Sequence, residues 1–206
     1  MSCIRPFPSP QVYGVIDCRL CATWDELTSG QRSRGNALIL FAGEEDATVA
    51  CMRINIVAVG RWKAGPEREL FDEYVRRLHW PTTLREVEEH RKVPPAQLVA
   101  REGELLLAAL PKASPGLVVV ALDRRGKALS SEELANQIRQ WRDRSVDELA
   151  FLIGGAEGLS AAVKQRAGFV LSFGAMTWPH LLVRAMLAEQ LYRAQSIQTG
   201  HPYHRA

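Results

Sequence analysis

Two short apolar runs set the limits on what this chain can fold into. Leu117-Val-Val-Val-Ala-Leu122 and Leu149-Ala-Phe-Leu-Ile153 contain no polar residue to turn toward water. A strand with one wet face alternates apolar and polar residues. An unbroken, β-branched run is instead covered on both faces, as in a parallel sheet between helices. Both runs are far shorter than a membrane span. No stretch of eighteen apolar residues occurs in the 206 residues, because Arg, Glu or His interrupts every longer one.

The rest of the pattern alternates around these runs. A strand is predicted over Arg53–Val59, closed by Gly60, then a helix over Pro66–Leu78 with Leu70, Phe71, Tyr74, Val75 and Leu78 at helical spacing. A second strand is expected over Leu84–His90 and a helix over Ala96–Leu110. Ser130 or Ser131 caps a helix reaching Arg142, with Glu132 and Glu133 in its first turn. Ser160 caps a short helix, Phe169–Ser172 is a short strand, and Pro179 opens a long final helix. Strand–helix alternation of this kind implies an α/β fold with a mainly parallel sheet and helices on both faces.

That final helix is apolar almost all round, from Leu181 to Ile197, interrupted by Arg184, Glu189, Gln190 and Arg193. Such a helix is buried on more than one side. In a domain this small, one side is expected to meet a partner subunit, the other reading being a central core helix.

Residues 1–51 have a different character. Pro6, Pro8 and Pro10 alternate, Ser29–Asn36 is a flexible polar run, and four arginines stand against six acids. Residues 52–206 carry 22 Lys and Arg against 17 acids and all five histidines. We expect residues 1–51 to be an N-terminal extension, disordered or the product of a start assigned too early, and residues 52–206 to be the working domain. Cys3, Cys18, Cys21 and Cys51 all lie in the extension. Cys18-Arg-Leu-Cys21 has zinc-knuckle spacing, but the two further ligands would be irregularly placed cysteines, so no metal is expected. The domain needs no disulfide, which suits a cytoplasmic protein.

Three loops follow three buried strands: Asp123–Gly126, Gly154–Gly158 and Gly174–Thr177. Ligands of open parallel sheets sit at the carboxyl ends of the strands, so these loops are expected to form one pocket. Gly-Gly-x-x-Gly is not the dinucleotide pattern, no phosphate-binding loop with Gly-Lys-Ser/Thr occurs, and no nucleophile elbow is present. The tail, His201-Pro-Tyr-His-Arg205, concentrates polar chemistry after Gly200.

Four blocks carry a family resemblance. They are Leu122-Asp123 with Gly126-Lys127 and Ser131–Ala135; Phe151-Leu-Ile-Gly-Gly-Ala-Glu-Gly-Leu-Ser160; Leu171-Ser172 with Met176-Thr-Trp-Pro-His180; and Arg184 with Glu189–Ala194 and His201–Arg205. In this order and spacing the chain from Met52 resembles the bacterial large-subunit ribosomal RNA methyltransferase H family, the pseudouridine N3-methyltransferases of the SPOUT class.

The resemblance implies a C-terminal deep trefoil knot, a homodimer and S-adenosyl-L-methionine as methyl donor. It also implies transfer to N3 of a pseudouridine in a hairpin loop of 23S ribosomal RNA at the subunit interface, in assembled ribosomes. The cofactor residues it implies are Leu122, Gly154 and the stretch Phe173, Gly174, Ala175, Met176, Thr177 and Trp178. Gly174 replaces a serine common in the family. His204 is the first candidate general base and His201 the second, Tyr203 a stacking group and Arg205 a cation for phosphate or developing charge. His180, at a helix start, reads as structural. The rival reading is a non-catalytic RNA- or ribosome-binding module of the same fold.

Overall fold

The computed structural model describes residues 11–13, 52–91, 93–113 and 115–205. The four cysteines, and with them the zinc question, lie outside the described residues. Twelve elements follow in order: β1 (Gln11–Tyr13), β2 (Arg53–Val59), α1 (Pro66–Arg77), β3 (Thr82–Val87), α2 (Pro95–Ala108), β4 (Leu117–Ala128), α3 (Ser131–Asp143), β5 (Glu148–Ile153), α4 (Ala161–Arg166), β6 (Phe169–Ser172), α5 (His180–Thr199) and a 3₁₀ turn, η1 (Pro202–Arg205).

The sheet runs β1-β3-β2-β5-β4-β6. Strands β2 to β6 are all parallel to their neighbours, and β1 joins the edge antiparallel to β3. Period-two alternation sorts the central strands onto two faces. Ile54, Ile56, Ala58, Val120, Leu149, Phe151 and Ile153 face a core shared with Phe71, Leu134, Ile138 and Leu187 of α1, α3 and α5. Val57, Val59, Val119, Ala121, Ala150 and Leu152 face Leu106 of α2 and Val163 of α4. Both faces of the two apolar runs are therefore covered, as their composition requires.

Helix α5 lies between α1 and α3. Ala185, Leu187, Ala188, Leu191 and Ala194 are buried against the sheet and these neighbours, which answers much of its all-round apolarity. Leu182, Met186, Glu189, Gln190 and Arg193 remain half-buried. Ser130 is the cap of α3: its Oγ accepts from Glu133 N–H at 3.2 Å while Glu133 Oε2 accepts from Ser130 N–H at 2.7 Å.

Two strands depart from their predicted bounds. Strand β3 begins at Thr82 and stops at Val87, not His90. Thr82 and Thr83 pair with Ile54 and Asn55, and Thr83 Oγ1 donates to Asn55 Oδ1 at 2.8 Å, so β-branched residues open the strand. Strand β4 runs past Leu122, where a loop was expected, to Ala128. Leu122 and Lys127 both lie opposite Leu171 of β6, so Asp123–Gly126 form an outlooped bulge inside a strand. A Cβ on Gly126 would stand 2.7 Å from Val170 O, so only glycine fits this close backbone approach.

Candidate functional site

The carboxyl ends of β4, β5 and β6 open into a cavity of about 870 Å³. Its apolar wall is Leu122, Ile153, Leu159, Leu171, Phe173 and Val183. Backbone of Gly154–Gly158 forms one side, and Gly174, Met176, Thr177, Trp178 and Pro179 another. Of the sequence candidates for cofactor binding, Leu122, Gly154, Phe173, Gly174, Met176, Thr177 and Trp178 all line it. Ala175 belongs to the same loop without lining the cavity.

The loops are shaped by short-range contacts. Gly158 (φ +84°) and Gly174 (φ +104°) are in the left-handed region, and a Cβ on either would meet nothing within 4 Å. Their need for glycine is conformational. Gly154 differs: a Cβ there would stand 2.7 Å from Gly158 O and 2.9 Å from Leu159 Cδ2, so its glycine is what lets the loop close. After β6, Ser172 Oγ accepts from Gly174 N–H at 3.1 Å and lies 3.2 Å from Arg124 O, tying the loop to the β4 bulge. Trp178 Nε1 donates to Phe173 O at 3.3 Å. Met176 is nonetheless 69% exposed and Trp178 37% exposed.

Charged groups gather at the rim. Lys164 Nζ lies 2.5 Å from Asp123 Oδ2, and Arg125 N–H donates to Asp123 Oδ1 at 2.9 Å. Burial opposes ionisation of Asp123, but these two donors outweigh it and hold the carboxyl below its ordinary value. His180 lines the cavity at the start of α5. Burial, then the Arg184 charge, lower its pKa, so a neutral imidazole faces the cavity at pH 7.

Two buried ionisable groups stand near the cavity, and neither is visible in hydropathy. Arg184 is 0% exposed. Its Nη1 donates to Glu86 Oε1 at 2.7 Å, and its Nη2 to Val59 O and Gly60 O at 2.6 and 2.8 Å. Its guanidinium stacks over Trp62, 5.0 Å from the ring centroid. Glu86 Oε1 also accepts from Trp62 N–H at 2.7 Å. One cation thus joins α5 to the carboxyl ends of β2 and β3. Its sequence signal was a lone arginine in an otherwise apolar stretch of helix.

Glu102 of α2 is the second. It is 9% exposed, and its Oε2 is buried with no hydrogen-bond partner. A Cβ on Gly155 would lie 2.9 Å from that oxygen, so the carboxyl rests directly against the glycine loop. Burial, then Glu157, raise its pKa. The folded chain therefore binds this proton more tightly than the unfolded chain. The contribution of this group to stability is full below the ordinary carboxylate pKa of 4.5 and is lost as pH rises through the raised value. Glu102→Gln is expected to remove that slope, so the variant melts above the wild type at neutral pH and level with it near pH 4. Parallel melting curves of the two proteins from acid to neutral pH would contradict this.

The chain turns at the end of α5. Gly200 adopts φ +67° and His201 N–H donates to Ser196 O at 2.9 Å. Among the described residues the tail's contacts are with α1 and α5. Tyr203 packs on α1 and α5, its ring 4.7 Å from that of Tyr192 and 6.4 Å from that of Tyr74. Its hydroxyl donates to Glu189 Oε1 at 3.0 Å and lies 3.1 Å from Tyr74 Oη. Burial and these two partners hold the phenol above its ordinary pKa, so it stays a donor. Arg193 lies 4.8 Å over the Tyr203 ring. His201 Nδ1 accepts from Tyr203 N–H at 3.3 Å. The side chains of His204 and Arg205 lie outside the described residues. Tyr74 and Glu189 border a second groove of about 580 Å³, which shares Leu171, Phe173 and Gly174 with the cavity.

Glycine-bearing loops at the ends of a parallel sheet, closing over a cavity with an apolar wall and a charged rim, define an α/β protein built to hold a small ligand. Residues 52–204 match the family described as "Predicted SPOUT methyltransferase", and the chain belongs to that family. Over 154 residues it is 58% identical to a protein of Paramagnetospirillum magneticum named Ribosomal RNA large subunit methyltransferase H, covering 75% of this chain and 99% of that one. Proteins of the same name in Rhodospirillum centenum and Rhodospirillum rubrum are 55% and 54% identical over 155 residues, each covering 75% of this chain and 100% of the relative.

Proposed function

We propose that this protein is an S-adenosyl-L-methionine-dependent methyltransferase acting on N3 of a pseudouridine in 23S ribosomal RNA. The observation that carries the reading is the cavity. It combines apolar cover with backbone that glycines leave open, at the strand ends where the sequence candidates for cofactor binding converge. The curated relatives, matched over nearly their whole length, bear the name of a ribosomal RNA methyltransferase.

The residues fit the cofactor. An adenine ring is flat and apolar with polar edges. Leu122, Ile153 and Phe173 supply apolar surface, and the backbone of Gly154–Gly158 and of the 173–178 loop supplies donors and acceptors. When bound, the cofactor supplies an electrophilic methyl group on a sulfonium cation. A neutral His180 adds no opposing positive charge to the wall beside such a cation. The chain's main task is positioning, since aligned reactants gain about 7–11 kcal/mol over free ones.

The nucleophilic nitrogen must also lose its proton. His204 is the base we assign, with His201 behind it, Tyr203 packing near the base and Arg205 holding phosphate or developing negative charge. Tyr203 is seated on its own α1 and α5, against Tyr74 and Glu189 of the second groove. We infer that the working unit is a homodimer in which the tail serves the cavity of the second copy, with the exposed Met176 and Trp178 and the half-buried face of α5 at the contact. A C-terminal trefoil knot, a cytoplasmic location and the assembled ribosome as substrate belong to the same reading. Residues 52–206 are the working domain in it. Among the described residues no helix is long and apolar enough to cross a membrane.

Titration calorimetry tests the cofactor site. The wild type is expected to bind S-adenosylmethionine. Gly154→Val is expected to lose that affinity while staying folded, because a branched side chain cannot fit 2.7 Å from Gly158 O without opening the loop. Equal affinity in the two proteins would remove this cavity from the reaction.

A further inference from the structure

The outlooped bulge of β4 places two arginines at the cavity mouth, and nothing in the cofactor reading uses their charge. Arg124 and Arg125 are exposed and line the rim directly after Leu122 of the cavity wall. Neither forms an ion pair among the described residues. The nearby carboxylate, Asp123, is engaged by Lys164 and by the Arg125 N–H, and it also feels the Arg125 charge without pairing with it. The facing loop presents an exposed carboxylate, Glu157.

The backbone carrying the two guanidinium groups is fixed on three sides. Ser172 Oγ lies 3.2 Å from Arg124 O, Asp123 Oδ1 holds Arg125 N–H at 2.9 Å, and Gly126 is pressed against Val170. Long cationic side chains on a rigid base, beside a cavity, suit a polyanion that must pass that mouth. An acid on the opposite loop steers such a chain toward the β4 side.

We propose that Arg124 and Arg125 form a phosphate clamp that holds the ribosomal RNA backbone at the mouth of the cavity. This rests on the function proposed above and names a contact to its substrate. Phosphate contacts position a nucleic acid without reading its sequence. The clamp therefore sets where the target loop enters and leaves the choice of nucleotide to other groups.

Equilibrium binding of the full chain to ribosomes, across a series of KCl concentrations at fixed magnesium, tests it. Two neutralised phosphates change the slope of log affinity against log salt by about 1.4–1.8. Arg124→Ala with Arg125→Ala is expected to weaken binding and flatten the slope by that amount, while S-adenosylmethionine affinity is kept. The corresponding double lysine substitution restores the slope, because a phosphate contact needs a charge more than a fork. Lys127→Ala, exposed on the same strand but outside the cavity lining, leaves the slope in place. An unchanged slope in the double alanine variant overturns the clamp. So does an equal effect from Lys127→Ala, which would mean net charge alone. Loss of cofactor affinity with the slope intact would place the arginines on the cofactor instead. If the wild type methylates no ribosomal RNA yet the double variant flattens the slope, the clamp stands and the substrate reading falls.

Discussion

Deleting residues 204–206 is expected to lower methyl transfer by about 10²–10⁴-fold, the range of a general acid–base group, while leaving the protein folded and able to bind cofactor. The cut is placed by the structure. Tyr203 closes an aromatic cluster with Tyr74 and Tyr192 and donates to Glu189, so removing it uncovers apolar surface on α1 and α5. A deletion of 201–206 mixes that structural loss with the chemical one, whereas a cut after Tyr203 separates them. His204→Ala is expected to show much of the loss. Single-turnover methyl transfer with cofactor in excess is the measurement. A cut protein that transfers methyl at the wild-type rate would free the tail of any part in the chemistry. A cut protein that unfolds would make the tail structural.

The largest stability effect is expected at Arg184. Arg184→Met fills similar volume but leaves Glu86 without its cation and the carbonyls of Val59 and Gly60 without their donor. Removing one partner of a fully buried ion pair costs about 3–5 kcal/mol; Glu86 keeps 24% of its side chain exposed and the Trp62 N–H, so a loss toward the low end of that range is expected. Burial lowers the arginine's pKa and Glu86 offsets this, so the group is held charged by the contacts that would be lost. Denaturant melts at one fixed protein concentration give the number, since subunit association would otherwise enter it. A loss below about 1 kcal/mol, the range of an exposed pair, would contradict the latch.

These two sites illustrate what hydropathy carries and what it omits. The unbroken apolar runs at Leu117–Leu122 and Leu149–Ile153 determine that helices must cover both sheet faces, and α1, α3 and α5 oppose α2 and α4 as required. Gly154 was legible because its loop follows a buried strand. The extension of β4 was not, because Asp123-Arg-Arg-Gly-Lys127 has no strand pattern and its pairing comes from β6, more than forty residues on. The same holds for Thr82 and Thr83, which read as a connection and join the sheet through Asn55.

Polar groups that fold inward leave fainter signals. Arg184 interrupts an apolar helix and belongs to a block of the family resemblance, and neither signal gives its burial or its partners. Glu102 precedes Gly103, a glycine inside a leucine-rich helix, where it costs about 1 kcal/mol against alanine. A Cβ at Gly103 would stand 2.2 Å from Ser160 Oγ. That glycine is the trace of α2 pressing on the start of α4, with Glu102 beside it. His180 sat at a helix start, where a structural role was the plainer reading, and the fold places it in the cavity wall. A glycine after a long helix makes the turn at Gly200 readable. Its seat on Tyr74 is a contact across 129 residues that no local pattern encodes.

The most direct test of the central claim is methyl transfer from labelled S-adenosylmethionine to whole ribosomes, separated subunits and protein-free RNA, with the product nucleotide identified by mass spectrometry. The expected product is a methyl group on N3 of a 23S pseudouridine, formed on the assembled ribosome, and none with Gly154→Val. A wild-type protein that binds the cofactor but places no methyl group on any ribosomal RNA, or places it at another atom, would contradict it.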